Sequence, residues 1–169
     1  MLTGKTLSET SNARRSARGA WDKTSLIFKE FKKRGYRTQY TCDRHVIKKF
    51  LKPPTDIFSL PMSESLMSTP LRQKYLWQNE CFDDKPESEV WLGLVKQFLK
   101  NATANSSPFF SLNFFARPTH HYPNKAASVD EFYFNLFKDL YESSVLENTV
   151  VVFFGDHGAH FGASHRRTG

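Results

Sequence analysis

The sequence predicts an α/β fold, a mostly parallel sheet with crossover helices on both faces. Stretches with apolar residues at helical spacing alternate with short apolar runs, in the order helix, strand, helix, strand, helix, strand. The last run, Thr149-Val150-Val151-Val152-Phe153-Phe154, is β-branched and apolar almost throughout, as a strand covered on both faces would be. A chain of 169 residues is long enough for one domain, 1–169, with a real core. Its 16 Phe imply that the core is built on large aromatics rather than on Leu and Ile.

The elements follow in order. Residues 11–20 are small, polar and basic, and read as an exposed loop. A helix begins around Thr24, places Ile27, Phe28 and Phe31 at helical spacing, and ends at Gly35 after a basic last turn. Tyr36 to Thr41 reads as a short strand. Residues 52–74 hold Pro53, Pro54, Pro61 and Pro70 with little periodicity, which predicts an irregular excursion. A second helix runs from about Glu87 to Leu99, with Trp91, Leu94, Val95 and Phe98 on one face. A polar loop then leads to the strand-length run Phe109 to Phe115. The third helix is expected to start at Ser128, with Glu131 completing a capping box. Its apolar stripe is Val129, Phe132, Tyr133, Leu136, Phe137 and Leu140.

Composition narrows the function. No apolar run approaches the ~20 residues that a membrane-spanning helix needs. Met1-Leu2-Thr3-Gly4-Lys5 opens no signal peptide, and the chain stops at Gly169 inside a Gly-, Ser- and Arg-rich loop, so both ends read as cut. The net charge of +7 favours anionic partners such as sulfated glycans, phosphates or nucleic acid. The dense patch Arg14-Arg15-Ser16-Ala17-Arg18 lacks the interleaved aromatics of a nucleic-acid platform, which argues against the last. The two cysteines, Cys42 and Cys81, form one disulfide or remain thiols, and their count does not decide. The sequons Asn101-Ala102-Thr103 and Asn105-Ser106-Ser107 share one polar stretch and point to the secretory pathway, where a disulfide persists.

Ligands of open α/β sheets bind beyond the carboxyl ends of the strands. The last predicted strand delivers Gly155-Asp156-His157-Gly158 to that edge. Asp offers a hard anionic oxygen and His a borderline nitrogen, a pair suited to zinc or manganese, or to calcium with more oxygens. The flanking glycines let the backbone turn so that both side chains converge on one ion. The preceding strand leads into Ala116-Arg117-Pro118-Thr119-His120-His121-Tyr122-Pro123. A His there could bind a second metal, donate to a bound anion, or protonate a leaving oxygen. His160 and His165 also follow the candidate metal pair. There is no nucleophile elbow and no Gly-rich phosphate loop.

The stretch Pro108 to Gly158 resembles a sulfatase half-site. It has a strand beginning Pro-Phe-Phe, a loop His, a helix opening near an Asp, then Leu146 to Gly158 ending in Phe-Phe-Gly-Asp-His-Gly. The finer resemblance is to animal sulfatase-like proteins catalogued as a domain of unknown function within the alkaline-phosphatase superfamily. It rests on Leu2-Thr3-Gly4, Gly35-Tyr36 with Thr38, Pro54-Thr55-Asp56, and Cys81 with Pro86. It continues through His120-His121-Tyr122-Pro123-Asn124 and Asp156-His157-Gly158 with Phe161-Gly162.

This resemblance implies an alkaline-phosphatase/sulfatase-like fold and a divalent metal, with hydrolysis of sulfate or phosphate esters such as those of a glycan or lipid. Asp156 and His157 inherit the role of metal ligands, and His120 that of contacting the substrate anion and protonating the leaving oxygen. His121 and His160 would line the same site; His160 stands where Arg is usual in the group. The family nucleophile and first metal carboxylate would lie before Met1. Neither Cys42 nor Cys81 sits in the Cys-x-Pro-x-Arg setting of a modified sulfatase cysteine. The alternative is a catalytically silent secreted glycoprotein that binds acidic glycans. Either way, Asn101 or Asn105 is expected to carry glycan after eukaryotic expression. Unchanged gel mobility of secreted protein on glycosidase treatment would count against both the sequons and an extracellular location.

Overall fold

The computed structural model describes residues 3–6, 9, 26–43, 56–59, 81–82, 84–119 and 123–157. The elements are α1 (Ile27–Lys33), β1 (Arg37–Cys42), β2 (Ile57–Ser59), β3 (Cys81–Phe82), β4 (Lys85–Pro86), α2 (Glu87–Ala104), β5 (Phe109–Phe114) and α3 (Asp130–Glu142), with a 3-10 turn at Pro123–Ser128. The fold is mixed α/β. β2, β1 and β5 form a parallel sheet with β1 in the centre, and β3 and β4 form a separate antiparallel pair.

The pleat of β5 decides how the helices cover the sheet. Successive strand residues point to opposite faces. Phe110 therefore meets Phe28 of α1, ring centroids 5.3 Å apart, while its neighbour Phe109 meets Phe98 of α2 at 6.3 Å. Phe28, Tyr40 and Cys42 make one buried cluster, with Phe110, Leu112 and Phe114 against it. Leu92, Val95, Phe98 and Leu99 of α2, with Leu136 and Leu140 of α3 and Val145, make the other. Aromatic rings pack on each face of the sheet, but the α2–α3 cluster is built mainly on Leu, so the expectation of a core of large aromatics rather than Leu holds on the α1 face alone.

The helices α1, α2 and α3 end alike. The residue after each C-cap, Gly35, Ser106 or Ser144, has positive φ (83°, 51° and 59°). Its N–H and that of the next residue return to the carbonyls of the last turn: Gly35 to Lys32 and Tyr36 to Phe31, Ser106 to Thr103 and Ser107 to Ala102, Ser144 to Tyr141 and Val145 to Leu140. This pair of bonds satisfies carbonyls that would otherwise be orphaned. In α1 the motif is closed by the rings of Phe31 and Tyr36, 5.0 Å apart.

Several expectations are corrected. The second helix does not stop at Leu99 but runs to Ala104, because nothing from Asn101 to Ala104 breaks it. Asn101 consequently lies on a helix rather than in a loop, and Asn105 is its C-cap. Leu94 faces outward, while Leu92 and Leu99 take the buried positions. Ile57–Ser59 inside the expected irregular excursion is strand β2, paired with Gln39–Thr41. Ser128 does not cap the third helix; its hydroxyl donates to the Lys125 carbonyl at 2.7 Å, and the N-cap is Val129, without a side-chain bond. Residues 149–154 are neither a strand nor covered. Val150 is 90%, Val152 74% and Phe153 72% exposed, since no described strand supplies a ladder alongside.

Phe28 is fully buried whereas Ile27, its neighbour on α1, is 37% exposed. Phe28→Ala is expected to lower stability by about 3–5 kcal/mol in urea unfolding, with Ile27→Ala below about 1. Equal effects would mean that α1 does not pack as described.

Candidate functional site

Two parallel strands, β1 and β5, end side by side at Cys42 and Phe114. The next residue after β1 is Asp43, whose N–H donates to the Phe114 carbonyl at 3.3 Å. Its side chain then reaches across the gap. Oδ1 accepts the Ala116 N–H at 3.0 Å and Oδ2 the Arg117 N–H at 2.8 Å. This carboxylate fixes the direction in which the chain leaves β5, just where the ladder ends.

Arg117 extends the network to α2. Its Nη1 lies 2.6 Å from Glu87 Oε2 and 2.7 Å from Oε1, and the Trp91 indole donates to the same carboxylate at 3.3 Å. Glu87 is the first residue of α2, where a negative charge suits the helix dipole. One chain of bonds thus ties the ends of β1 and β5 to the start of α2.

The electrostatics are uneven. Burial raises the Asp43 carboxyl to about 6; the Ala116 and Arg117 amides oppose the rise, and the charge of Glu87 adds to it. Tyr133 of α3 is raised to about 12, first by burial and then by the charge of Asp43, so α3 borders the same edge. Arg117 also acts on Asp43, but its guanidinium is bonded to Glu87.

Asp156 and His157 follow the exposed run in a bend. Their side chains converge: Asp156 Oδ2 and His157 Nε2 are 3.6 Å apart, both about half exposed. That separation allows one ion to touch both at ~2.0–2.6 Å, so the donor pair fits a divalent metal. Among the described residues no group of three or more His, Cys, Asp or Glu joins to hold one. The run is anchored through Phe153, whose ring lies 5.4 Å from Tyr133 and 6.2 Å from Phe137 of α3. His120, His121 and His160 lie outside the described residues, as does His165.

A family model for a protein of unknown function, DUF229, matches residues 1–168. The chain belongs to the DUF229 family. No curated protein and no solved structure matches it. In this DUF229 chain Cys42 is a buried thiol and Cys81 an exposed one, on different sheets and without a disulfide between them. Asn101 and Asn105 are exposed, and the Asn105 amide donates to the Asn101 carbonyl at 2.7 Å. No described helix is long and apolar enough to cross a membrane.

Sequence reasoning passed over Asp43, Glu87 and Arg117. The signal for Asp43 was present: it stands two residues past the predicted strand Tyr36 to Thr41, as Asp156 stands two past Phe154. Arg117→Ala is expected to destabilise the protein by about 1–3 kcal/mol, because it leaves the largely buried Glu87 carboxylate with only Trp91. Pairing it with Glu87→Gln in a double-mutant cycle should give a coupling well above ~0.5 kcal/mol. Strict additivity would show that the ion pair contributes nothing.

Proposed function

We propose that this chain forms part of a metal-dependent hydrolase acting on sulfate or phosphate esters, with an alkaline-phosphatase-like sheet. The observation that carries the reading is the convergence of Asp156 Oδ2 and His157 Nε2 to 3.6 Å at the end of an apolar run. Membership of DUF229 and the sulfatase-like pattern from Pro108 to Gly158 support it.

In this reading Asp156 and His157 hold a divalent ion, zinc, manganese or calcium, and the ion supplies charge neutralisation at the ester anion. His120 contacts the anion and gives a proton to the departing oxygen. His121 and His160 line the substrate side. Arg117 and Glu87 keep the frame around the site rigid rather than meeting substrate, because each is committed to the other. The protein's place of action is the secretory pathway or outside the cell, in keeping with the exposed Asn101 and Asn105.

A second reading, a catalytically silent glycoprotein that binds acidic glycans, is favoured by the net charge of +7 together with those two exposed sequon asparagines. Turnover separates the two. The whole protein should hydrolyse p-nitrophenyl sulfate or p-nitrophenyl phosphate with zinc, manganese or calcium added. Asp156→Ala should lower kcat/KM at least ~100-fold and weaken binding of the metal alone, with thermal unfolding unchanged. Hydrolysis of neither ester with any of the three metals, alongside retention on a sulfated-glycan column, would replace the first reading with the second.

A further inference from the structure

Successive residues of a strand turn their backbone N–H and C=O groups to opposite edges, so a strand at the side of a sheet leaves every second set unpaired. Two bonds fix the phase of β5. Arg37 N–H donates to the Pro108 carbonyl at 2.8 Å and Asp43 N–H to the Phe114 carbonyl at 3.3 Å. The even-numbered residues of β5 therefore face β1. Phe109, Ser111, Asn113 and, just past the strand, Phe115 present their backbone groups to the other edge, along which no described strand runs. Val150 to Phe154 is the complementary case: five apolar residues, all exposed, paired with no described strand.

The connections lead the run to that edge. α2 carries the chain from β2 past β1 to β5 across one face of the sheet, and α3 packs on α2 at the same face. Crossovers between parallel strands keep one hand, so a second helix on that face carries the next strand a further step in the same direction, past β5. A seat is present there. The Tyr133 ring of α3 lies 6.5 Å from Phe115 and 5.4 Å from Phe153, so one side chain spans the end of β5 and the run.

We propose that Val150–Phe154 is a strap that closes on the free edge of β5 as a further parallel strand, with Phe153 beside Phe115 under the Tyr133 ring. The phase follows from the faces. Phe109 meets Phe98 of α2 and Phe115 meets Tyr133 of α3, so the odd-numbered side chains of β5 lie on the helix side, as Phe153 does. Residues level with one another in a parallel pair share a face, and the backbone groups of one bond to the two neighbours of the other. Val150, Val152 and Phe154 therefore turn their N–H and C=O groups to β5, where Asn113 and Phe115 await partners. Closure satisfies these groups and shields apolar side chains that are now exposed. It also delivers Asp156 and His157, which follow Phe154 closely, to the edge where the chain leaves β5. The proposal goes beyond the hydrolase reading and needs only the sheet.

The test is hydrogen exchange of the whole protein, read residue by residue by fragmentation mass spectrometry. The amides of Asn113 and Phe115, and those of Val152 and Phe154 opposite them, are expected to exchange at least ~100-fold more slowly than in an unfolded peptide. Val152→Pro removes a donor that the closed strap directs at β5. It should bring Asn113 and Phe115 to within ~10-fold of the unfolded rate, while Leu112 and Phe114, which face β1, hold steady. Unprotected Asn113 and Phe115 in the wild type would overturn the proposal. So would protection there that Val152→Pro leaves untouched, because another segment would then fill the edge. Should Val152→Pro fail to fold, the wild-type run decides: slow exchange at Val152 and Phe154 together with Asn113 and Phe115 supports closure, and exchange at the unfolded rate through Val150–Phe154 refutes it.

Discussion

β1 is enclosed on both edges and both faces, and the arrangement of the described molecule follows from that enclosure. A buried strand must find a partner for every backbone N–H and C=O. β2 and β5 supply them in parallel register, and α1 and α2 cover the two faces. The ends of β1 need side chains instead. At the amino end Asp56 accepts from the Thr38 amide at 2.8 Å and hydroxyl at 3.0 Å, and its own N–H donates back to the Thr38 hydroxyl. At the carboxyl end Asp43 does the corresponding work on Ala116 and Arg117.

The two carboxylates differ in surroundings, and so in chemistry. Lys32 sits 2.6 Å from Asp56 and, with the Thr38 donors, holds its carboxyl below the ordinary range, so it stays ionised. Asp43 is buried, and Arg117, the one cation among the described residues that acts on it, is bonded to Glu87, so its carboxyl moves the other way. One end of β1 is closed by a carboxylate paired with a lysine, the other by a buried carboxyl bonded to two backbone amides. Function in α/β sheets gathers at the carboxyl edge, where strand ends meet loops, and the buried Asp43 carboxyl is at that edge.

The sequence made the skeleton legible wherever burial imposes a period. Phe28 and Phe31 marked α1, Trp91, Val95 and Phe98 marked α2, and Leu136 and Leu140 marked α3, because a helix with one buried face must repeat near 3.6 residues. The strands β1 and β5 were legible from length and composition. Helix ends were less so. Gly35 announces a left-handed residue, but Ser106 and Ser144 adopt the same conformation without a glycine to signal it, and α2 was drawn a turn short. β2 was hidden because its strand is only Ile57–Ser59, below the length at which alternation shows, and its pairing is fixed by Asp56. The run 149–154 misled for the opposite reason. Composition records what a segment is suited to pair with, whereas a strand exists only where a neighbouring ladder is present.

The candidate site divides along the same line. Asp156 and His157 were legible because two ligand-type residues stand together after an apolar run, a pattern contained within a few positions. The Asp43–Arg117–Glu87 network joins residues 30 to 74 positions apart, and no local pattern holds it. Tyr133 is where the two parts approach each other. Its ring lies 6.5 Å from Phe115, just past β5, and 5.4 Å from Phe153, three residues before Asp156. Its hydroxyl is raised to about 12, by burial first and by Asp43 next. An aromatic that packs on both segments seats the chain leaving β5 and the run leading to Asp156 on the same helix, α3.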